Sequence, residues 1–265
     1  MLRRLPEASV QLVLTSPPYN IGKSFEQVLP VDDYVAWCVE WLRELDRVCA
    51  PNASIWVNLG YTAVAERGTA VPIAYLLWGR LPFHLMQEVV WYYRAGVACR
   101  RRFSPRNEKL LWLVKDPHNY VFDLDAVRSS DVRYPAQRRH GRLRCNPNGR
   151  NPADVWEIPK VTAGSGRKSL ERTAHPAQMP VELAERVIRA CSRPGDVVLD
   201  PFAGSGTTAV AAVACGRRAI GVERSREYAE IAVQRLTGHC RVPHTERVLD
   251  AENTMEIENL LSNNK

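Results

Sequence analysis

The stretch that decides the fold is Val197-Val198-Leu199-Asp200-Pro201-Phe202-Ala203-Gly204-Ser205-Gly206-Thr207-Thr208. Three apolar residues run into an acid and a proline, and two glycines stand two positions apart. A run of small residues then continues from Thr207 to Cys215. This pattern predicts a strand, a Gly-rich turn and a helix. Arg218 to Val222 predicts a second strand, ending at Glu223, and Ser225 can cap a last helix from Arg226 to Leu236. Strands alternating with helices indicate an α/β fold with a doubly wound, mostly parallel sheet, whose ligands bind at the carboxyl ends of the strands. At such an end Gly204 and Gly206 permit positive φ and close backbone approach, and Ser205 to Thr208 supply donors at a helix start. Glu223, placed at the tip of the next strand, can accept both hydroxyls of a ribose. A lone Gly-x-Gly would be no more than a turn with a surface glutamate, but the whole strand–turn–helix–strand–acid order points to a ribose-bearing cofactor. No Gly-Lys-Ser/Thr follows, so the loop is not a P-loop. Asp200 argues against a pyrophosphate and suits a cationic group, such as the amino group of S-adenosylmethionine.

Upstream, Pro180 to Cys191 has a helical pattern, and Pro194-Gly195-Asp196 turns into the Val197 strand. At the other end of the chain, Ser9 to Leu14 is a short buried strand closed by Thr15-Ser16-Pro17-Pro18-Tyr19-Asn20. Asp32 can cap a helix through about Cys49 with an apolar stripe from Val35 to Val48, which Ala50-Pro51-Asn52 breaks. Ser54 to Leu59 predicts a strand and Val71 to Trp78 a helix. His84 to Tyr93 and Lys109 to Lys115 predict two more strands, joined by an arginine-rich loop, Arg94 to Arg106. From Asp116 to about Pro180 no period is sustained, which inside a compact chain marks a functional loop system or a small recognition lobe. After Val242 the chain is polar and reads as a frayed tail.

Ser16 to Tyr19 carries its own chemistry. Consecutive prolines stiffen the turn and donate no backbone N–H, so their carbonyls are free to accept hydrogen bonds. Ser16 adds a second acceptor and Tyr19 an aromatic face, an arrangement that suits a planar exocyclic amine. On its own the motif would be a rigid turn with a packed tyrosine.

The chain has 265 residues, 45% hydrophobic and 25% charged, which suits one two-lobed domain and excludes wholesale disorder. No stretch approaches the roughly 20 apolar residues of a membrane helix, and the N-terminus lacks an export pattern. The seven cysteines include no Cys-x-x-Cys pair, so neither a disulfide framework nor a metal site is expected and a cytoplasmic setting fits. The net charge is +7 and is unevenly spread. Arg128 to Arg172 holds 11 Lys and Arg against 4 Asp and Glu, leaving 25 of each sign elsewhere. A basic segment on a neutral body suggests a polyanion partner.

Ser16 to Tyr19 and Asp200 to Thr208 together resemble the two motifs of the DNA amino-methyltransferases of restriction–modification type, Ser/Asp/Asn-Pro-Pro-Tyr and Asp-Pro-Phe-x-Gly-Ser-Gly-Thr-Thr. Their order here is that of the permuted (β) class, and Asn151 to Trp156 and His175 to Pro180 match further segments. The resemblance implies a circularly permuted, Rossmann-like methyltransferase fold with a small basic target-recognition lobe. Residues 1–115 would form the catalytic half, 116–174 the recognition segment, 175–240 the cofactor half and 241–265 a tail. It implies S-adenosylmethionine as cofactor, held by Asn20, His175, Asp200, Phe202, Ala203, Gly204, Ser205, Gly206, Thr207 and Glu223. It implies catalysis by Ser16, Pro17, Pro18 and Tyr19 on a base swung out of double-stranded DNA. The Ser form of the tetrad accompanies N4-methylation of cytosine more often than N6-methylation of adenine. Arg100, Arg101, Arg102, Arg106, Arg138, Arg139, Arg142 and Arg144 become candidates for DNA contact, most of them to phosphate. A small lobe suits a short target read by a homodimer, with a cognate restriction endonuclease as partner. Members of the family usually carry a further strand and a Gly-Asp-like segment ahead of the stretch that here begins at Met1; this departure suggests a late-annotated start, a truncation or a minimal member, and leaves one edge of the cofactor pocket open. The rival readings are an adenine-N6 enzyme of the same fold, an RNA methyltransferase, a silent nucleic-acid-binding relative and, least compatible with Asp200, a nicotinamide dehydrogenase.

Overall fold

The computed structural model describes residues 2–64, 68–96, 98–162 and 169–238. The elements of its first half are β1 (Val10–Thr15), α1 (Val31–Val48), β2 (Cys49–Leu59), β3 (Tyr61–Val64), β4 (Gly68–Pro72), α2 (Ile73–Leu77), β5 (His84–Tyr92) and β6 (Asn107–Val114). The basic middle holds only β7 (Arg138–Arg139), β8 (Arg142–Leu143) and β9 (Val155–Glu157). The last part runs through α3 (Val181–Cys191), β10 (Val197–Asp200), α4 (Thr207–Ala214), β11 (Arg218–Gly221) and α5 (Arg226–Leu236).

Seven strands form one sheet in the order β11-β10-β1-β2-β6-β5-β9. The pairs β11–β10, β10–β1, β1–β2 and β5–β9 are parallel, whereas β6 runs antiparallel to both β2 and β5. Residues along the central strands alternate between two buried layers, as the period of a pleated strand requires. Val13, Ile55, Val57, Leu111 and Leu113 face α1 and α2, while Leu12, Leu14, Trp56, Leu110 and Trp112 face α3 and α4. Helices therefore cover both faces, and central strands buried on both sides read as nearly continuous apolar runs.

This topology places the site. From β10 the chain winds through α4 to β11 on one side, and from β1 through α1 to β2 on the other. The crevice between the carboxyl ends of β10 and β1 is thus a topological switch point, where open α/β sheets bind ligands. Both sequence motifs open into it, and Thr15 at the end of β1 donates to Asp200 Oδ1 at the end of β10 over 2.6 Å.

Most predicted elements match within one or two residues, and the differences have physical reasons. Helix α1 begins two residues earlier than expected, with Pro30 as its N-cap and no side-chain capping bond. Asp32 and Asp33 instead lie in the first turn, where their charge suits the helix dipole. The expected break at Pro51-Asn52 is a register shift inside a longer β2, with Val10 opposite Cys49 but Leu12 opposite Ser54. The helix expected from Val71 is the shorter α2, preceded by the β3–β4 hairpin. Within the loop-rich middle, β9 joins the edge of the main sheet. Its Trp156 stacks 5.8 Å from Trp56 and lies under Arg186 of α3. The tail after Val242 lies outside the described residues.

Candidate active site

One cavity of about 890 Å³ opens at the switch point and is lined by residues of both motifs. Its first wall is the turn after β10. Gly204 and Gly206 adopt φ of +52° and +75°. A Cβ on Gly206 would lie 2.6 Å from that of Ala232 on α5, and one on Gly204 would meet the His175 ring at 3.0 Å. Both glycines are required by backbone conformation and by space. Asp200 is buried, accepting hydrogen bonds from Thr15, from Thr208 Oγ1 (2.8 Å) and from the Phe202 N–H (3.0 Å). Burial nevertheless pushes its carboxyl up to about 6, so an approaching cation would favour the ionised form. Glu223 accepts the N–H of Gly204 on one oxygen (2.8 Å) and that of Ser225 on the other (2.7 Å). It therefore fixes the glycine turn as well as facing the cavity. Phe202 packs between Trp37 and Trp41, with ring centroids 5.5 and 5.2 Å away. His175 stacks on Phe25 and meets Tyr228 edge-on at 4.3 Å. Burial lowers its pKa, favouring the neutral imidazole.

Other predicted cofactor residues also make contacts within the protein. Ser205 and Thr207 line the cavity, and their hydroxyls accept from the guanidinium of Arg235 on α5, at 3.2 and 3.0 Å. Arg235 also donates to the Ser205 carbonyl (2.7 Å) and lies 3.8 Å from Glu171. Ala203 also lines the cavity, and its N–H bonds the Val222 carbonyl. Asn20 lines the cavity in a left-handed conformation, φ +60°, but its amide is engaged with both backbone groups of Leu29.

The second wall is Ser16 to Tyr19. The Ser16 hydroxyl lies 2.9 Å from the Tyr19 hydroxyl. Tyr19 donates to Glu108 Oε2 of β6 (2.9 Å) and accepts from Asn58 Nδ2 of β2 (2.9 Å). Its ring lies so close over Gly60 that a Cβ there would come within 2.5 Å of it. Tyr34 of α1 donates to the Pro18 carbonyl (2.8 Å), so the Pro-Pro turn is buttressed from behind. Glu108, Asn58 and Arg235 were not singled out from the sequence.

The arginines divide. Arg138, Arg139, Arg142 and Arg144 are all exposed on the β7–β8 hairpin, whose tip residues His140 and Gly141 both have positive φ, as a tight hairpin turn requires. Arg100, Arg101 and Arg102 are exposed on the loop from β5 to β6, followed by a fully exposed Phe103. Arg106 is half-buried and donates to the Pro105 carbonyl. That loop springs from the cavity rim, since Trp91 and Glu108 at its two ends both line the cavity. Arg128 and Arg150 instead hold the middle segment together, binding Asp125 and Asp131.

A family model described as DNA methylase, covering N6 and N4 amino-methyltransferases, matches residues 10–234. The chain belongs to the DNA methylase family. By sequence the methylase is 53% identical over 236 residues to type II methyltransferase M.ScaI of Streptomyces caespitosus, covering 89% of this chain and 78% of that one. It is 34% identical to the DNA adenine methyltransferase YhdJ of Escherichia coli K12, covering 89% and 79%. By structure it superposes on the cytosine-N4-specific PvuII DNA methyltransferase with a TM-score of 0.69 over 88% and 82% of the chains, at 22% identity. It also superposes on the M1.HpyAVI–SAM complex with a TM-score of 0.58 over 88% and 90%, at 25% identity. The methylase is thus a DNA methyltransferase of restriction–modification type that uses S-adenosylmethionine. Asp200, Gly204 and Glu223 line the cavity, and their acids and open backbone would suit an amino group and a ribose. When bound there, the cofactor supplies an electrophilic sulfonium methyl group. Among the described residues no helix is long and apolar enough to cross a membrane.

Proposed function

We propose that this methylase transfers the methyl group to the exocyclic N4 of a cytosine flipped out of double-stranded DNA. The observation that carries this reading is the position of Ser16, in one cavity with Asp200 and Glu223 and with its hydroxyl held by Tyr19. The Ser16 hydroxyl and the Pro17 carbonyl accept the two amine hydrogens. This draws the nitrogen toward tetrahedral geometry and frees its lone pair for in-line attack. Pro18 holds the turn and the Tyr19 ring offers the base a face. Alignment and exclusion of water supply much of the rate. Asp200 and Glu223 hold the cofactor's amino group and ribose, and Phe202, Gly204 and His175 shape the rest of its pocket. The serine form of the tetrad favours cytosine. Adenine N6 is the second reading, favoured by the 34% identity to an adenine methyltransferase. Digestion of methylated duplex DNA to nucleosides, followed by mass analysis, decides between them. N4-methylcytosine is expected, and N6-methyladenine would overturn the cytosine assignment.

The β7–β8 hairpin and the Arg100–Phe103 loop form the DNA-binding surface in this reading, the arginines on phosphate or guanine edges and Phe103 against the opened stack. Two copies reading a short site, alongside an endonuclease of the same specificity, complete the proposal. Replacing Arg138, Arg139, Arg142 and Arg144 together by alanine should weaken DNA binding strongly at low salt. Each lost phosphate contact should flatten the plot of log affinity against log salt by about 0.9. Cofactor affinity should stay unchanged; titrations of both ligands across a salt series check this, and an unaltered salt slope would remove the hairpin from the interface.

A further inference from the structure

Methylating an amine leaves a proton to be removed, and the cavity is lined by a chain of hydrogen-bonded side chains, Ser16, Tyr19 and Glu108. Tyr19 has one hydroxyl proton and stands among four oxygen and nitrogen neighbours. Asn58 Nδ2 donates to it and also to Glu108 Oε2, at 2.9 and 2.7 Å. Glu108 Oε2 lies 2.9 Å from the Tyr19 hydroxyl, nearer than the alternative acceptor, the Asn58 carbonyl at 3.2 Å. With its proton directed to Glu108, Tyr19 can only accept from Ser16, 2.9 Å away. Donation therefore runs one way, Ser16 to Tyr19 to Glu108, and leaves the Ser16 lone pairs facing the cavity.

We propose that Ser16, Tyr19 and Glu108 form a proton relay that carries the surplus proton of the methylated amine from the base pocket to a carboxylate on β6. The proposal rests on the reading of Ser16 as acceptor of the target amine. In the transfer the amine nitrogen forms a bond to the methyl carbon while the carbon–sulfur bond breaks, its electron pair remaining on sulfur. The nitrogen then holds one proton too many. That proton passes to Ser16 Oγ as the serine's own proton moves to Tyr19 Oη and the tyrosine's to Glu108 Oε2. Serine and tyrosine end neutral, Glu108 ends protonated, and the proton leaves to water when the cavity opens.

Glu108 is placed to accept it. Burial raises its pKa above the ordinary carboxylate value, against the opposing effect of hydrogen bonds from Tyr19, Asn58 and Tyr93 and of the Lys160 charge. Tyr19 is buried beside this carboxylate and its pKa is raised well above 10, so it relays a proton without resting as a phenolate. The titratable and charged groups facing Glu108 are Tyr19 from the β1 loop, Tyr93 beyond β5 and Lys160 beyond β9. Glu108 acts through Tyr19 and is a positioning residue and terminal acceptor.

The test is single-turnover methyl transfer from saturating S-adenosylmethionine to duplex DNA between pH 5 and 8, comparing wild type, Glu108→Gln and Tyr19→Phe. Saturating cofactor removes the contribution of Asp200. Wild type should slow as pH falls and Glu108 protonates. Glu108→Gln should be about 10- to 100-fold slower at pH 7.5, should lose that acid limb, and should bind cofactor and DNA within about twofold of wild type. Tyr19→Phe, which keeps the ring and cuts the relay, should also lose the limb; it is the second arm should Glu108→Gln fold poorly by thermal unfolding. A slowed variant that keeps the wild-type acid limb overturns the relay, as does a variant with wild-type rates. Nucleoside digests of the same wild-type reactions report separately on the methylated base. An active wild type yielding N6-methyladenine removes the cytosine reading alone. A wild type inactive on every duplex removes the methyl-transfer reading and the relay with it.

Discussion

Replacing Ser16 by alanine is expected to slow the methyl-transfer step about a hundredfold to a thousandfold while leaving the affinities for cofactor and DNA within about twofold. A positioned acceptor of a transferring proton contributes on the order of 10²–10⁴ in rate. Here the hydroxyl is also the only side-chain acceptor within the Ser-Pro-Pro turn. The rest of that turn should survive the change, because Tyr34 still donates to the Pro18 carbonyl and Tyr19 keeps Asn58 and Glu108. The cofactor wall is built from the other end of the chain and loses no contact. Rapid-quench turnover with equilibrium binding of each ligand checks this. A parallel fall in cofactor affinity would mean that Ser16 holds the pocket's shape and not the amine.

The second large effect concerns Glu223. Exchange for glutamine is usually mild where a carboxylate faces solvent, but here each oxygen already accepts a backbone N–H, from Gly204 and from Ser225. A glutamine has one oxygen, so its NH₂ group must oppose one of these donors. An unsatisfied donor of this kind costs about 1–3 kcal/mol, or about 5- to 160-fold in an equilibrium constant. Glu223→Gln should therefore weaken S-adenosylmethionine binding about as severely as Glu223→Ala, with DNA affinity unchanged and turnover largely restored at saturating cofactor. Calorimetry of both variants tests it. Wild-type affinity in the glutamine variant would show that Glu223 does not set the turn's conformation for binding.

Both walls of the cavity were legible in the sequence because each is a turn at the carboxyl end of a short apolar strand, and strand–turn–helix order fixes where such ends meet. Ser225, read as a cap, accepts from the Tyr228 N–H. Glu108 escaped notice because strand direction is not written in composition. Only when β6 runs antiparallel does its beginning, and not its end, reach the rim of the parallel strands. Arg235 sits in a helix of mixed polarity, where an arginine reads as surface, yet it is buried against the glycine turn. Strand β9 is three residues long among prolines and asparagines, too short for a period to declare itself. Its pairing with β5 depends on tertiary packing of Trp156.

The Thr15–Asp200 bond joins residues 185 positions apart. Neighbouring strands so distant in the chain give a high contact order, and loop closure must precede any reward from their pairing. At about 5–20 residues per second of synthesis, β1 waits roughly 10–40 seconds for β10 to be made. Throughout that interval the Ser-Pro-Pro-Tyr turn exists without a floor on which to hold a methyl donor. A newly translated molecule should therefore be inert until α5 has emerged and packed, and capture of the methyl donor should serve as a marker that folding is complete.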